Sequence, residues 1–196
     1  PYGGDAGGKL LALPKGIVTF VGIIACIAFL VEGAIMDWGG VFLTTVRHFD
    51  MALAGTGFTV FSAAMLTMRL LGDWTVQKLG QERVVIGGSL LAVAGFLLII
   101  FAPTVVLLYL GFFFIGVGCA NVVPVFFSLL GKQHVMPISL AVPAVSTLGY
   151  LGILMGPAAI GFIAHQTSLY AAFTLLAALV LLQAVIAAYV YRHIVE

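Results

Sequence analysis

The sequence predicts an all-α membrane protein, a polytopic bundle of six transmembrane helices. Apolar residues make up 63% of the chain and charged residues only 8%, against roughly a half and a quarter in soluble domains. So few charges cannot coat a water-facing surface, which leaves lipid as the solvent. Six stretches also reach the length of about 20 apolar residues that a helix needs to cross a hydrocarbon core of about 30 Å. Finally, these runs are continuous and do not alternate polar with apolar residues. That excludes a closed β-barrel, the other architecture that satisfies its own backbone groups in lipid.

The chain opens with a glycine-rich stretch (Gly3, Gly4, Gly7 and Gly8) that reads as a flexible linker up to Lys15. It lacks the basic region, short apolar core and small-residue cleavage site of a secretory signal. With no initiator methionine, the expectation is that the chain begins partway through a longer protein. The first span covers about residues 16–46 and is interrupted by Glu32 and Asp37. The second covers about 52–71 and the third 84–101. Pro103 and Thr104 make a tight turn into the fourth, about 105–130. The fifth runs over about 138–164 and the sixth over 169–191.

Alternating the spans puts Lys9, Lys15, Arg69, Lys78, Arg83, Lys132 and Arg192 at one side and Arg47 alone at the other. Lysine and arginine collect on the cytoplasmic side, so both ends of the segment are expected there. Gly111, Gly116 and Gly118 recur along the fourth span, and Gly149, Gly152, Gly156 and Gly161 along the fifth. Such spacing lets helix backbones approach closely and favours a packed bundle with some helices bent.

Glu32 and Asp37 are the most informative residues, Glu32 because an acid near the middle of a span is by default a candidate for substrate or proton handling. Asp37 lies about one and a half turns further out and reads equally well as an interfacial charge. Trp38 is either a stacking platform or part of an interfacial aromatic belt, and Gly39-Gly40 beside it permits a bend. Asn121, mid-span and close to Pro124, offers a donor and an acceptor to a substrate or to a neighbouring helix. Ser146 and Tyr150 are candidate cavity-lining residues in the fifth span. Arg69, Asp73 and Arg83 could form a charge network locking two helix ends together in one conformation, with Gly72 and Gly80 permitting tight turns.

Other chemistries find little support. A net charge of +1 gives no pointer to nucleic acid. Cys26 and Cys119 sit in apolar runs and read as packing residues. His48, His134, His165 and His193 are scattered, so no metal or cofactor is expected. No nucleophile–base–acid series or phosphate-binding glycine loop is visible, and an enzyme is not expected.

Taken together, these residues resemble the C-terminal six-helix half of the major facilitator superfamily. Gly72-Asp73, six residues and then Gly80-Gln81-Glu82-Arg83 is similar to the family's signature cytoplasmic loop. Trp74 stands where a basic residue is common, and Gln81-Glu82 where further arginines are frequent. The glycine–proline run from Gly149 to Gly161, with Gly156-Pro157, resembles the family's eleventh helix. Gly116 to Pro124 is similar to the tenth helix of a bacterial subgroup. Glu32 to Trp38 resembles the seventh helix of that subgroup, which lies near fucose-permease-like sugar transporters and drug transporters.

The resemblance implies two inverted three-helix repeats within this chain, and a central cavity shared with an N-terminal six-helix half. Residues 1–14 would end the central cytoplasmic linker, residues 15–192 form the transmembrane half, and residues 193–196 a cytoplasmic tail. The implied function is secondary active transport of a small sugar-like or drug-like solute across the bacterial inner membrane, by alternating access and with proton coupling. In it Glu32 would bind protons or solute, Trp38, Asn121 and Tyr150 would line the cavity, and the signature loop would stabilise one gate state. The alternatives are a binding or sensor protein that kept the fold but lost transport, and a half-transporter that self-assembles.

Overall fold

The computed structural model describes residues 13–194; the expected linker, including Lys9, lies outside them apart from its last two residues, as does the end of the tail. The described residues form eight α-helices: α1 (Ile17–Thr45), α2 (Thr56–Leu70), α3 (Gly72–Leu79), α4 (Gln81–Phe101), α5 (Val105–Cys119), α6 (Val122–Leu129), α7 (Ile138–Gln166) and α8 (Leu169–His193). Six helical spans are long and apolar enough to cross a membrane: Ile17–Thr45, Met51–Leu70, Gln81–Phe101, Val105–Lys132, Ile138–Gln166 and Leu169–His193. Each matches an expected span to within a few residues. α3 is an addition, a short helix in the connection expected to be a loop.

The turns follow from local chemistry. Pro103 lacks the amide that would continue α4, and Thr104 then caps α5 by accepting from the Leu107 amide at 3.3 Å. Ser168 caps α8 in the same way at the Ala171 amide, 3.0 Å away. At the other junction, Gly80 has a φ of 87°, a backbone conformation that a side chain would strain, and α4 begins directly after it. Arg47 donates to the carbonyls of Ile100 and Ala102. It thereby satisfies the carbonyl groups left without partners at the end of α4.

α1 runs through the middle of the bundle, packed on α7, α8 and α2, while α4 packs on α5 and α8, and α2 on α5. One of the two interior clusters holds a group of phenylalanines. Phe42 and Phe173 stack with ring centroids 4.3 Å apart, and Phe96 meets Phe173 edge-on at 6.3 Å. Apolar side chains alone do not drive helices together in lipid, so close backbone approach has to contribute. The glycines supply it. A Cβ on Gly118 would strike the Gly88 carbonyl and one on Gly111 the Gly95 carbonyl, which brings α4 and α5 into backbone contact. Gly152 lies in the same way on the Cys26 backbone of α1, and Gly116 on the Phe61 backbone of α2.

Candidate functional site

Glu32 lies near the middle of α1, where a carboxylate needs a partner. It finds one in Arg69, whose Nη2 donates to Glu32 Oε1 at 3.0 Å. Arg69 belongs to the last turn of α2, but helical side chains lean toward the N-terminus of their helix. That lean carries the guanidinium back along α2, toward the middle of the bundle. A proline in the neighbouring span holds it there. Pro124 has no N–H, so the Ala120 carbonyl four residues earlier loses its helical partner. The fourth span accordingly breaks between α5 and α6, and Arg69 Nε donates to Ala120 O at 3.1 Å. Asn121 completes the stitch, its Nδ2 donating to Met68 O at 3.3 Å.

The ion pair borders a cavity of about 370 Å³ between α1, α2 and α7. Its remaining walls are mostly apolar: Phe29, Met36, Phe58, Phe61, Met65 and Leu66 among them, with Ser62 the other polar side chain. Arg69 also borders a second cavity of about 390 Å³, whose walls include Asp73, Gln77, Gln81, Asn121 and Ser128. The guanidinium thus stands between an apolar chamber holding Glu32 and a polar one nearer the end where the chain begins.

The other expected residues divide. Tyr150 stacks on Phe29 at 6.4 Å with the rings 10° from parallel, and so backs a wall residue of the Glu32 chamber without lining it. Asn121 lines the polar chamber. Ser146 is half-buried in α7 and Asp37 is exposed on α1; neither borders the two chambers. Trp38 is a structural tie between α1 and α7, donating from Nε1 to Pro157 O at 3.1 Å with its ring against Gly161.

The expected charge network is not formed in this conformation. Arg69 pairs with Glu32, and among the described residues no ion pair joins Asp73 to Arg69 or to Arg83. The reason is geometric: the side-chain lean and the Ala120 carbonyl draw Arg69 into the bundle, while Asp73 and Arg83 are exposed beyond it. Gly72 opens α3 instead of lying in a loop, with the Asn121 side chain where a Cβ would sit. The sequence reading joins Arg69 to Asp73 and Arg83, and does not pair it with Glu32. Two features did point to that pairing, an intramembrane acid in need of a partner and Pro124 freeing a carbonyl.

The family model described as Major Facilitator Superfamily matches residues 21–195. The chain belongs to the major facilitator superfamily. It is 45% identical to an uncharacterized MFS-type transporter of Yersinia pestis over 174 residues, 89% of this chain and 45% of that protein. It is 35% identical to an uncharacterized transporter of Sinorhizobium fredii over 183 residues, 93% of this chain and 48% of the relative. The chain thus spans about half the length of these curated superfamily relatives. Among solved structures, the POT family transporter PepTSo superposes with a TM-score of 0.72 at 21% identity, over 93% of this chain and 38% of that one. A peptide transporter POT crystallised with sulfate gives 0.74 at 18% identity, over 94% and 41%. At such identities the likeness shows the superfamily fold alone.

Proposed function

We propose that this chain is the C-terminal half of a secondary active transporter that moves a small solute by alternating access, coupled to protons. Residues 1–14 end a central linker, residues 15–192 are the transmembrane half, and residues 193–196 a short tail. The excess of lysine and arginine at one end favours cytoplasmic termini in a bacterial inner membrane. The observation that carries the reading is the Glu32–Arg69 pair at 3.0 Å, set mid-bundle in a chamber on α1, α2 and α7. α2 and α7 are the spans left least covered by the rest of the bundle, and their open faces are where an N-terminal half would close the cavity.

Glu32 is the proton-binding group and Arg69 its partner, while Phe29, backed by Tyr150, forms one wall of the solute site. Asp37, Trp38, Asn121 and Ser146 lie around that site rather than in it. Gly72, Asp73, Gly80 and Arg83 belong to the gate region formed by α3 and its junctions. The apolar walls of the chamber suit a solute with an apolar body better than one covered in hydroxyls.

The test is flux of the full-length protein in proteoliposomes under an imposed pH gradient, against a panel of sugars and drug-like solutes. Glu32→Gln should abolish gradient-driven flux while leaving insertion and folding intact. Undiminished gradient-driven flux in that variant would remove Glu32 from the coupling. Selective binding with no flux of any solute would favour the sensor reading, which the altered signature loop around Trp74 allows.

A further inference from the structure

The Glu32–Arg69 pair also bears on the charge of the solute, an inference that rests on the reading of this chamber as the solute site. Glu32 is electrostatically occupied: its carboxylate already holds the guanidinium, so the chamber presents no net charge to a visitor. A lipophilic cation entering it would meet Arg69 beside the acid and would have to displace it. An anion meets a different situation. Arg69 is anchored through Nε on Ala120 O, and that anchor does not depend on Glu32. Its side chain remains 45% exposed toward the chambers. If Glu32 takes up a proton, the guanidinium stays where it is and loses its counter-charge.

The charged and titratable groups facing the pair from the packed helices do not supply a substitute. α2 contributes Arg69 itself, α5 the buried Cys119 thiol, and α7 the Tyr150 phenol behind Phe29. Asp37 on α1 is exposed further along the helix, and Asp73 on α3 faces Arg69 from the polar chamber without pairing with it. α8 places no charged group there, its basic residues lying in its last turn.

We propose that the solute is an organic anion with an apolar or aromatic body, which takes the place of the Glu32 carboxylate on Arg69 when Glu32 binds a proton. The exchange balances in charge: one proton neutralises Glu32, one anionic group replaces it on the guanidinium, and the chamber stays neutral. The body of the solute lies against Phe29, Phe58 and Phe61, and its charged end reaches Arg69. This makes coupling a direct consequence of the ion pair, because an anion without the proton would leave two negative groups on a single cation.

A cysteine at Ser62, in the wall of the same chamber, reads the charge preference without knowledge of the natural solute. In full-length protein with Ser62→Cys, the rates of modification by an anionic sulfonate and a cationic ammonium methanethiosulfonate reagent are compared, with the Ser62 parent as blank. Adding Glu32→Gln should raise the sulfonate-to-ammonium rate ratio by roughly tenfold, and acidification should do the same only while Glu32 is present. Adding Arg69→Gln instead should lower the ratio by a similar factor. A ratio indifferent to Arg69→Gln, or one favouring the ammonium reagent with Glu32→Gln, would overturn the anion assignment. As a second measurement, 3-phenylpropionate should raise the melting temperature of the wild type more at pH 6 than at pH 8, and its neutral amide at neither. Equal stabilisation by acid and amide would also overturn it. These readouts do not require flux, so a failure of transport with the charge preference intact would sink the proposed function and spare the chamber's selectivity.

Discussion

A proline four residues beyond Ala120 leaves a carbonyl free, and the arginine that takes it up is held in line with an acid on another helix. Arg69 makes both contacts at once through two different nitrogens, which its planar fork allows and a lysine ammonium does not. Arg69→Lys should therefore keep the charge and lose the geometry. Its flux in proteoliposomes should fall close to that of Arg69→Gln, and wild-type flux would show that one contact suffices. A second polar contact is structural. Gln183 on α8 donates to Ser89 Oγ on α4 at 2.8 Å, both side chains being buried. Gln183→Leu leaves the Ser89 hydroxyl without its partner and should cost about 1–3 kcal/mol in a thermal or denaturant titration. Adding Ser89→Ala should recover much of that loss, because removing both partners of a buried hydrogen bond is cheaper than orphaning one.

At the scale of elements, the contact between α4 and α5 is set by backbone. A methyl group on Gly88 would meet the Gly118 carbonyl, whereas one on its neighbour Gly87 has nothing within 4 Å. Gly88→Ala should destabilise the folded protein by about 1–3 kcal/mol, the usual cost of overpacking, and Gly87→Ala should leave the melting temperature nearly unchanged. Equal effects would mean that α4 and α5 have room to separate. On the α5 side of this contact Gly111 and Gly118, like the spans themselves, are legible in sequence because lipid dictates them: long apolar runs must be helical, and small residues must carry the crossings. Gly88 and Gly95 opposite them are not singled out in the sequence. The rest was hidden where local chemistry has more than one outlet. Gly72 and Gly80 read as loop residues, yet between them α3 forms, with Asp73 in its first turn and Lys78 in its last, each favourably placed against the helix dipole. Gln133 gave no signal at all, although its buried amide organises the turn into α7 through the carbonyls of Leu130 and Met136 and the amides of Val135 and Met136. The candidate site was half legible: Glu32 announced itself as an intramembrane acid, but the identity of its partner depended on the direction in which a helical side chain leans.

Over the whole molecule, exchanging the first three spans with the last three maps the main interhelical contacts onto one another. The α1–α7 contact becomes the α5–α2 contact, α1–α8 becomes α5–α4, and α4–α8 is unchanged, the pattern of the two inverted repeats. The symmetry stops at the surface. Along α1, α2 and α7 the exposed apolar residues are interrupted by Glu32, Asp37, Arg69 and Tyr150, whereas Leu97 of α4 and Leu181 of α8 are exposed on spans whose middles hold no charged residue. A charged group facing hydrocarbon is costly, so the first face must meet water or protein and the second can meet lipid. A membrane-impermeant maleimide applied to the full-length protein in vesicles, from each side in turn, distinguishes the two faces. Gly33→Cys lies in the chamber wall with open space beside it and should be labelled from at least one side, as should Ser62→Cys. Leu97→Cys and Leu181→Cys should stay unlabelled from both sides while reacting after denaturation. Labelling at Leu97 or Leu181 in the folded protein would place water on the lipid face and overturn this division. Protection of Gly33 and Ser62 from both sides would mean that the chamber is sealed in the resting state, and a carrier would then have to open it when its solute arrives.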